Sequence, residues 1–150
     1  MAKKRKTGAI RSSKAKYDGR QFQSGLELYC YKKLKDNNIA FEYEGETFTI
    51  FPQFNYPGGY GKKLAKGFSI KNNRAVRAIT YTPDFVSHTN KFIIETKGFV
   101  PSQHSFPLRF KMFLLHLIQN KMGGYSVYVP GNQKQVDEVI NDIVEKKKNK

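Results

Sequence analysis

Two apolar runs, Ala78 to Val86 and Lys91 to Lys97, are separated by the four turn-forming residues Ser87-His88-Thr89-Asn90. Short runs rich in β-branched and aromatic residues, broken by so brief a polar stretch, predict two neighbouring strands rather than a helix. Each run carries a carboxylate: Asp84 in the first, and Glu95, with Lys97 two residues on, in the second. Side chains alternate faces along a strand, so Thr82 and Asp84 share one face, while Ile93, Glu95 and Lys97 share one on the neighbour. The eleven positions from Asp84 to Glu95 suit a hairpin whose strand ends lie side by side. Two carboxylates and an ammonium can therefore converge.

Other elements arrange themselves around this pair. Ser24 predicts the cap of a helix running to about Asp36, with Leu26, Tyr29, Cys30 and Leu34 on one face and Asn37-Asn38 as its stop. IAFEYE and TFTIF (39–44 and 47–51) read as strands paired with each other through Gly45. Pro107 suits the first turn of a helix over Leu108 to Lys121, closed by Gly123-Gly124, and YSVYV (125–129) reads as the last strand. Asn132 caps an amphipathic helix with Val136, Val139, Ile140, Ile143 and Val144 on one side. This order predicts an α/β fold, a mixed central β-sheet flanked by helices. At 150 residues, 39% of them hydrophobic, the chain suits one core. We expect a basic arm over 1–20, a domain over 21–145 with a basic insertion at about 54–77, and a basic tail over 146–150.

Charge points to the partner. Lys and Arg number 27 against 12 Asp and Glu, a formal net charge of +15. A chain this basic suits polyanions, because each phosphate it neutralises releases a condensed counterion. Nucleic acid leads, and an anionic membrane surface is the rival. No run approaches the ~18 apolar residues of a membrane helix, and His116 interrupts the longest, FKMFLLHLI. MAKKRK is not followed by an apolar stretch of the kind a secretory signal has. Cys30 is the single cysteine, which fits a reducing, intracellular compartment. Lys3, Lys4, Arg5, Lys6, Arg11 and Lys14 fall in the arm, read as flexible. Lys62, Lys63, Lys66, Lys71, Arg74 and Arg77 fall in the insertion, which follows PGGYG and reads as a long loop, with no acid between Glu46 and Asp84. Both groups are candidate phosphate contacts.

Oxygen-only ligands in a pair such as Asp84 and Glu95 suit Mg²⁺, with Mn²⁺ as a substitute, because a hard cation takes one or two carboxylates and shares phosphate oxygens with its substrate. A lysine beside it can orient the attacking water and offset charge in the transition state. The chemistry this predicts is phosphodiester hydrolysis. Plainer readings compete. Asp84 follows Pro83 and suits a turn, and Glu95 with Lys97 suits a solvated pair on an edge strand. Glu42, Glu44 and Glu46 alternate as a wet strand face, with Glu42 a candidate for a further metal or water contact. His104 suits a substrate contact or simple exposure. Glu27 completes an S-x-x-E capping box with Ser24.

PDF followed by ETK resembles the PD-(D/E)XK nuclease signature, with Asp84, Glu95 and Lys97 at its defining positions. QSGLE (23–27), FEYE (41–44), YTPDF (81–85) and ETKG (95–98) follow the order seen in the phage endonuclease I family of junction-resolving enzymes. YDGRQFQSGLE and KGF with RFKMF are similar to small phage proteins of the same superfamily. The likeness runs from about Tyr17 to Val129; Phe54 to Arg77 stands as an insertion, and the long C-terminal portion of that family is missing. The resemblance implies a restriction-endonuclease-like αβββαβ core and a metal held by Asp84, Glu95, the Thr96 carbonyl and Glu27. It makes Lys97 the cation that orients the nucleophile. It also implies a homodimer cutting branched DNA, as a Holliday junction resolvase does, and a phage protein working in bacterial cytoplasm. Two other classes stay open: a non-catalytic nucleic-acid-binding or virion-associated protein keeping the nuclease fold, and a small basic RNA-binding protein, which would leave the carboxylates unexplained.

Overall fold

The computed structural model describes residues 14–98 and 105–150. It begins with a hairpin, β1 (Ala15–Tyr17) against β2 (Arg20–Phe22), turning at Asp18 and Gly19, both at positive φ. Asp-Gly is the pair a two-residue hairpin turn favours. The basic arm read over residues 1–20 therefore ends in ordered structure: the Phe22 side chain is fully buried, and Asp18 accepts from Lys35 (2.6 Å) and Tyr31 (3.2 Å). Lys3, Lys4, Arg5, Lys6 and Arg11 lie outside the described residues.

Helix α1 (Gly25–Asp36) starts at Ser24, whose Oγ accepts from the Glu27 N–H, and buries Cys30, Tyr31 and Leu34. Next come β3 (Glu42–Tyr43), β4 (Phe48–Phe51), β5 (Phe54–Leu64), β6 (Gly67–Val76), β7 (Ile79–Tyr81), β8 (Phe85–Ser87) and β9 (Phe92–Ile94). Helix α2 (Phe106–Gln119), β10 (Ser126–Tyr128) and α3 (Gln133–Lys148) complete the described residues. Asn132 caps α3 as expected, accepting from the Gln135 N–H, and α3 runs through the basic tail to Lys148.

Pairing departs from the sequence reading in three places. β3 and β4 do not pair with each other: β3 pairs with β8 and β4 with β7, both antiparallel. Glu44 sits at positive φ and the Glu42 side chain folds over Gly45, so the chain kinks there and continues instead of reversing. The run Ala78 to Val86 is not one strand. It breaks at Thr82-Pro83-Asp84, because proline has no N–H for the ladder, and the Glu44 N–H donating to the Asp84 carbonyl at 2.8 Å bridges the gap. The basic insertion is not a loop. β5 and β6 pair antiparallel from Phe54↔Val76 out to Leu64↔Gly67, extending the same hairpin away from the body.

The central sheet is mixed, in the order β10-β9-β8-β3, with β10 parallel to β9 and the other pairings antiparallel. Alternation along β8 and β9 sends Phe85, Phe92 and Ile94 into a core shared with α1 and α3. Val86 and Ile93 go into a second core with Phe48, Tyr81 and the α2 residues Phe113 and Leu117. The fold is thus α/β, with helices on both sheet faces. Among the described residues no helix is long and apolar enough to cross a membrane.

Candidate active site

Where β8 breaks and β9 ends, the sheet opens, and the polar side chains gather in that opening. Beyond β9 the ladder to the β10 side continues, with the Glu95 and Lys97 N–H groups donating to the Tyr128 and Pro130 carbonyls at 3.0 and 2.9 Å. On the other side no strand among the described residues faces Thr96. The Asp84 carboxylate takes that role: its Oδ2 accepts from the Thr96 N–H at 2.7 Å and from Thr96 Oγ1 at 2.6 Å. Glu95 is only 7% exposed; its Oε1 lies 2.7 Å from Lys97 Nζ, and its Oε2 is buried with no hydrogen-bond partner. Lys97 Nζ also sits 4.7 Å from the centre of the Phe106 ring. Glu95 and Lys97 help to line a cavity of about 390 Å³, whose other walls include Tyr81, Thr82, Phe106 and Arg109.

Electrostatics here are those of an under-neutralised site. Burial, then the charge of Glu95, push the Asp84 carboxyl up to about 7 despite the two Thr96 hydrogen bonds, and Glu27 adds to the rise. Burial raises the Tyr81 hydroxyl, and so do the Glu95 charge and a hydrogen-bonding approach to that carboxylate. The Cys30 thiol on α1 is raised by burial and by Asp84, which leaves it a core residue rather than a nucleophile.

Glu27, also 7% exposed, sits on α1. Its Oε2 accepts from the Gln23 N–H and the Tyr43 hydroxyl, both at 2.9 Å, and its Oε1 from Ser24 Oγ at 3.3 Å. That is capping-box work, displaced one residue outward, since the carboxylate reaches the amide of Gln23 instead of that of Ser24. The structure therefore sets two contacts side by side, Asp84 with Thr96 and Glu95 with Lys97, and Asp84 and Glu95 act on each other through charge. Glu27 stands beside it, coupled to Asp84 through its charge.

The remaining candidates fall elsewhere. Glu42 is exposed and lines a separate groove with Asp18, Arg20 and Lys35. The Glu46 carboxylate accepts from His88 Nε2 at 2.8 Å, and His104 lies outside the described residues. Lys14 is exposed just before β1. Lys62, Lys63, Lys66, Lys71 and Arg74 lie along the β5–β6 ribbon and Arg77 at its base; all are exposed except Lys71, which is half-buried.

Sequence reasoning missed Tyr81 and Arg109. Strict alternation places Tyr81 on the face opposite Asp84, and only the break at Pro83 brings both toward Glu95. Arg109 did leave a signal. A cation near the start of a helix opposes the macrodipole, and such local conflicts concentrate at functional sites.

These donors suit a hard divalent cation. An orphaned buried carboxylate oxygen, a second carboxylate driven toward neutrality and only one ammonium between them leave negative charge for a cation to neutralise. Among the described residues no three His, Cys, Asp or Glu side chains cluster as a ready-made cage. Two carboxylates, the Thr96 carbonyl and water fit the way Mg²⁺ is ordinarily held, with substrate oxygens completing the shell.

Fold and site together define a mixed α/β protein with a buried carboxylate–lysine cluster where its sheet opens. The family described as "Protein of unknown function (DUF1064)" matches residues 7–129, and the chain belongs to it. That span takes in both the cluster and the ribbon and stops before α3. No curated protein and no solved structure matches the chain significantly.

Proposed function

We propose that this chain is a Mg²⁺-dependent endodeoxyribonuclease of the PD-(D/E)XK type. The observation that carries the reading is the pair of adjoining contacts, Asp84 with Thr96 and Glu95 with Lys97, coupled by the mutual charge of the two carboxyl groups and with the Glu95 Oε2 buried and without a hydrogen-bond partner among the described residues. The order α1, β3, β8, β9, α2, β10 within one sheet system also agrees with an αβββαβ core.

Asp84, Glu95 and the Thr96 carbonyl would hold the cation, with Glu27 as a further carboxylate reached from α1. When bound, the cation supplies Lewis-acid polarisation of a phosphate oxygen and lowers the pKa of a bound water. Lys97, fixed by Glu95 and Phe106, orients the water that attacks phosphorus. The attacking water gives up a proton to solvent as its oxygen bonds to phosphorus, one P–O ester bond breaks, and the departing alkoxide takes a proton from solvent. Arg109, across the cavity, is placed to hold a non-bridging phosphate oxygen. The ribbon and the N-terminal arm would hold the DNA backbone, and the endonuclease I resemblance favours branched DNA and a homodimer.

The test is incubation of the purified protein with labelled junction, flap, duplex and single-stranded DNA in Mg²⁺, Mn²⁺, Ca²⁺ or EDTA. Cleavage in Mg²⁺ and Mn²⁺ that EDTA stops is expected. Binding without cleavage in every cation would leave the non-catalytic alternative, and light scattering of the DNA complex checks the dimer.

A further inference from the structure

The β5–β6 ribbon carries more than charge. Residues paired across an antiparallel ribbon point to the same face, so Lys63 with Phe68, Gly61 with Ile70 and Gly59 with Asn72 form one side. Phe68 and Ile70 are each 70% exposed. Directly opposite Ile70, and diagonal to Phe68, the partner strand offers bare backbone at Gly61. A Cβ added at Gly61 would lie 2.5 Å from Phe68 Cζ and 3.5 Å from Ile70 Cγ1, so the ring and the isoleucine rest on that glycine. The glycine thus meets the Cε1–Cζ edge of the ring, the close approach that lets an aromatic side chain lie beside a strand glycine, and most of the ring stays exposed. Scattered exposed apolar side chains need no explanation, but these two form a plate on an extended arm that has no acidic residue from Thr47 to Pro83. Lys63 shares its face, and Lys66 stands in the turn at its tip.

We propose that this plate is a stacking platform for nucleobases that are not enclosed in a duplex, with the neighbouring lysines taking the adjoining phosphates. An occupant that is both anionic and flat satisfies the two features together. Single-stranded or unpaired nucleotides present both, because every base has an apolar face and every linkage a phosphate. In intact duplex the faces are hidden, and the plate would meet only groove edges. The inference shares with the endonuclease reading its class of ligand alone and needs no catalysis.

The native chain contains no tryptophan, so Phe68→Trp installs a single reporter on the platform. In EDTA, where cleavage is not expected, its emission should be quenched by single-stranded DNA and by duplex with unpaired bases, and far less by fully paired duplex. Full-length Phe68→Leu should bind single-stranded DNA about tenfold or more weakly, Phe68→Trp should keep wild-type affinity, and paired duplex should distinguish the two by less than about twofold. Unchanged thermal melting in both variants separates this from misfolding. Equal loss on paired and unpaired DNA, or no loss in Phe68→Leu, overturns the proposal. So does a dimer that Phe68→Leu dissociates, or binding to anionic vesicles that it abolishes, with DNA affinity unmoved. Unpaired-base binding that depends on Phe68 in a protein that never cleaves would instead sink the nuclease and keep the platform.

Discussion

The root and the tip of one antiparallel hairpin have opposite characters. At the root, β7 and β8 pair with β4 and β3, and the chain packs between two cores, so Asp84 and Glu95 are held in low dielectric with fixed partners. At the tip, β5 and β6 pair with each other, and lysines, Phe68 and Ile70 face solvent. Continuity of pairing does not impose continuity of chemistry. Burial turns the root's few charges into strong, mutually dependent interactions, whereas the tip's many charges act nearly independently and are screened by salt. Substitutions at the root should therefore change chemistry and stability, and those at the tip should change binding alone.

The largest expected effect lies at the root. Lys97→Ala should slow single-turnover cleavage by about 10²–10³-fold, the usual loss when one preorganised electrostatic group is removed, and leave DNA affinity in EDTA within about twofold. Arg109→Ala should lose about tenfold, as a phosphate contact shared by ground and transition states, and should raise KM more than it lowers kcat. A fully active Lys97→Ala enzyme would erase the distinction between root and tip, since the root would then be only structural.

Asp84 gives the next effect, on stability. Its carboxyl rises to about 7 in the folded chain from an ordinary 3.8. Below about pH 3 it is protonated in both states and costs nothing. As pH climbs toward 7 the unfolded chain ionises first, so stability falls, and above 7 the loss levels off on the order of 4 kcal/mol. Asp84→Asn in EDTA at pH 8 should therefore melt higher than wild type, by about 5–15 °C, and lose the slope between pH 4 and 7. Its amide oxygen can still accept both Thr96 bonds. Mg²⁺ should stabilise wild type at pH 8 and not the variant. A less stable Asp84→Asn protein in EDTA would show that the carboxylate is a net stabiliser.

That site also shows how far the sequence could be read. The hairpin at Ser87 to Asn90, the Ser24 and Asn132 caps and the α2 start near Pro107 rest on local chemistry, and they appear where expected. The convergence of Asp84, Glu95 and Lys97 followed from strand alternation and spacing. What stayed hidden depends on partners remote in sequence. The split of β3 from β4 follows from pairing with β7 and β8, some forty residues away, which no local signal announces. The ribbon reads as a loop because Gly58, Gly59 and Gly61 are poor strand formers, yet two of them lie under Asn72 and Phe68 from the opposite strand. Asp18-Gly19 was a legible turn, outweighed by the basic residues around it.

Glu27 lies at the edge of the root and gives a sharper, smaller contrast. In Glu27→Gln the side-chain oxygen can still accept from the Gln23 N–H and the Tyr43 hydroxyl, and its amide can donate to Ser24 Oγ. Stability should hold within about 1 kcal/mol. The lost charge also removes one cause of the Asp84 rise, so the pH midpoint for stability should move down. If Glu27 serves the metal, Mg²⁺-supported cleavage should drop at least about tenfold at this unchanged stability. Equal activity and equal stability would return the residue to capping alone.

The smallest effect is expected at the tip, in the salt dependence of binding. Lys62 and Lys63 are adjacent on one strand, so their side chains point to opposite faces of the ribbon, and an extended backbone lying along one face can reach only one of them closely. If each face carries phosphate, Lys62→Ala and Lys63→Ala should each flatten the log–log salt slope by about 0.9 on duplex and 0.7 on single-stranded DNA, and the double variant by the sum. If the DNA lies on the Phe68 face, only Lys63→Ala should move the slope, because Lys63 pairs with Phe68 and Lys62 pairs with Ser69 on the other side. In neither case should cleavage at saturating DNA change, since neither ammonium approaches the Asp84–Glu95 cluster across the length of the ribbon. A charge change at the tip that alters kcat would break the comparison outright, by showing that the ribbon folds back onto the site when DNA is bound. Measured slopes that stay at the wild-type value in both single variants would leave those lysines as solubilising charge, and would shift the phosphate contacts to Arg74 and Arg77 nearer the root.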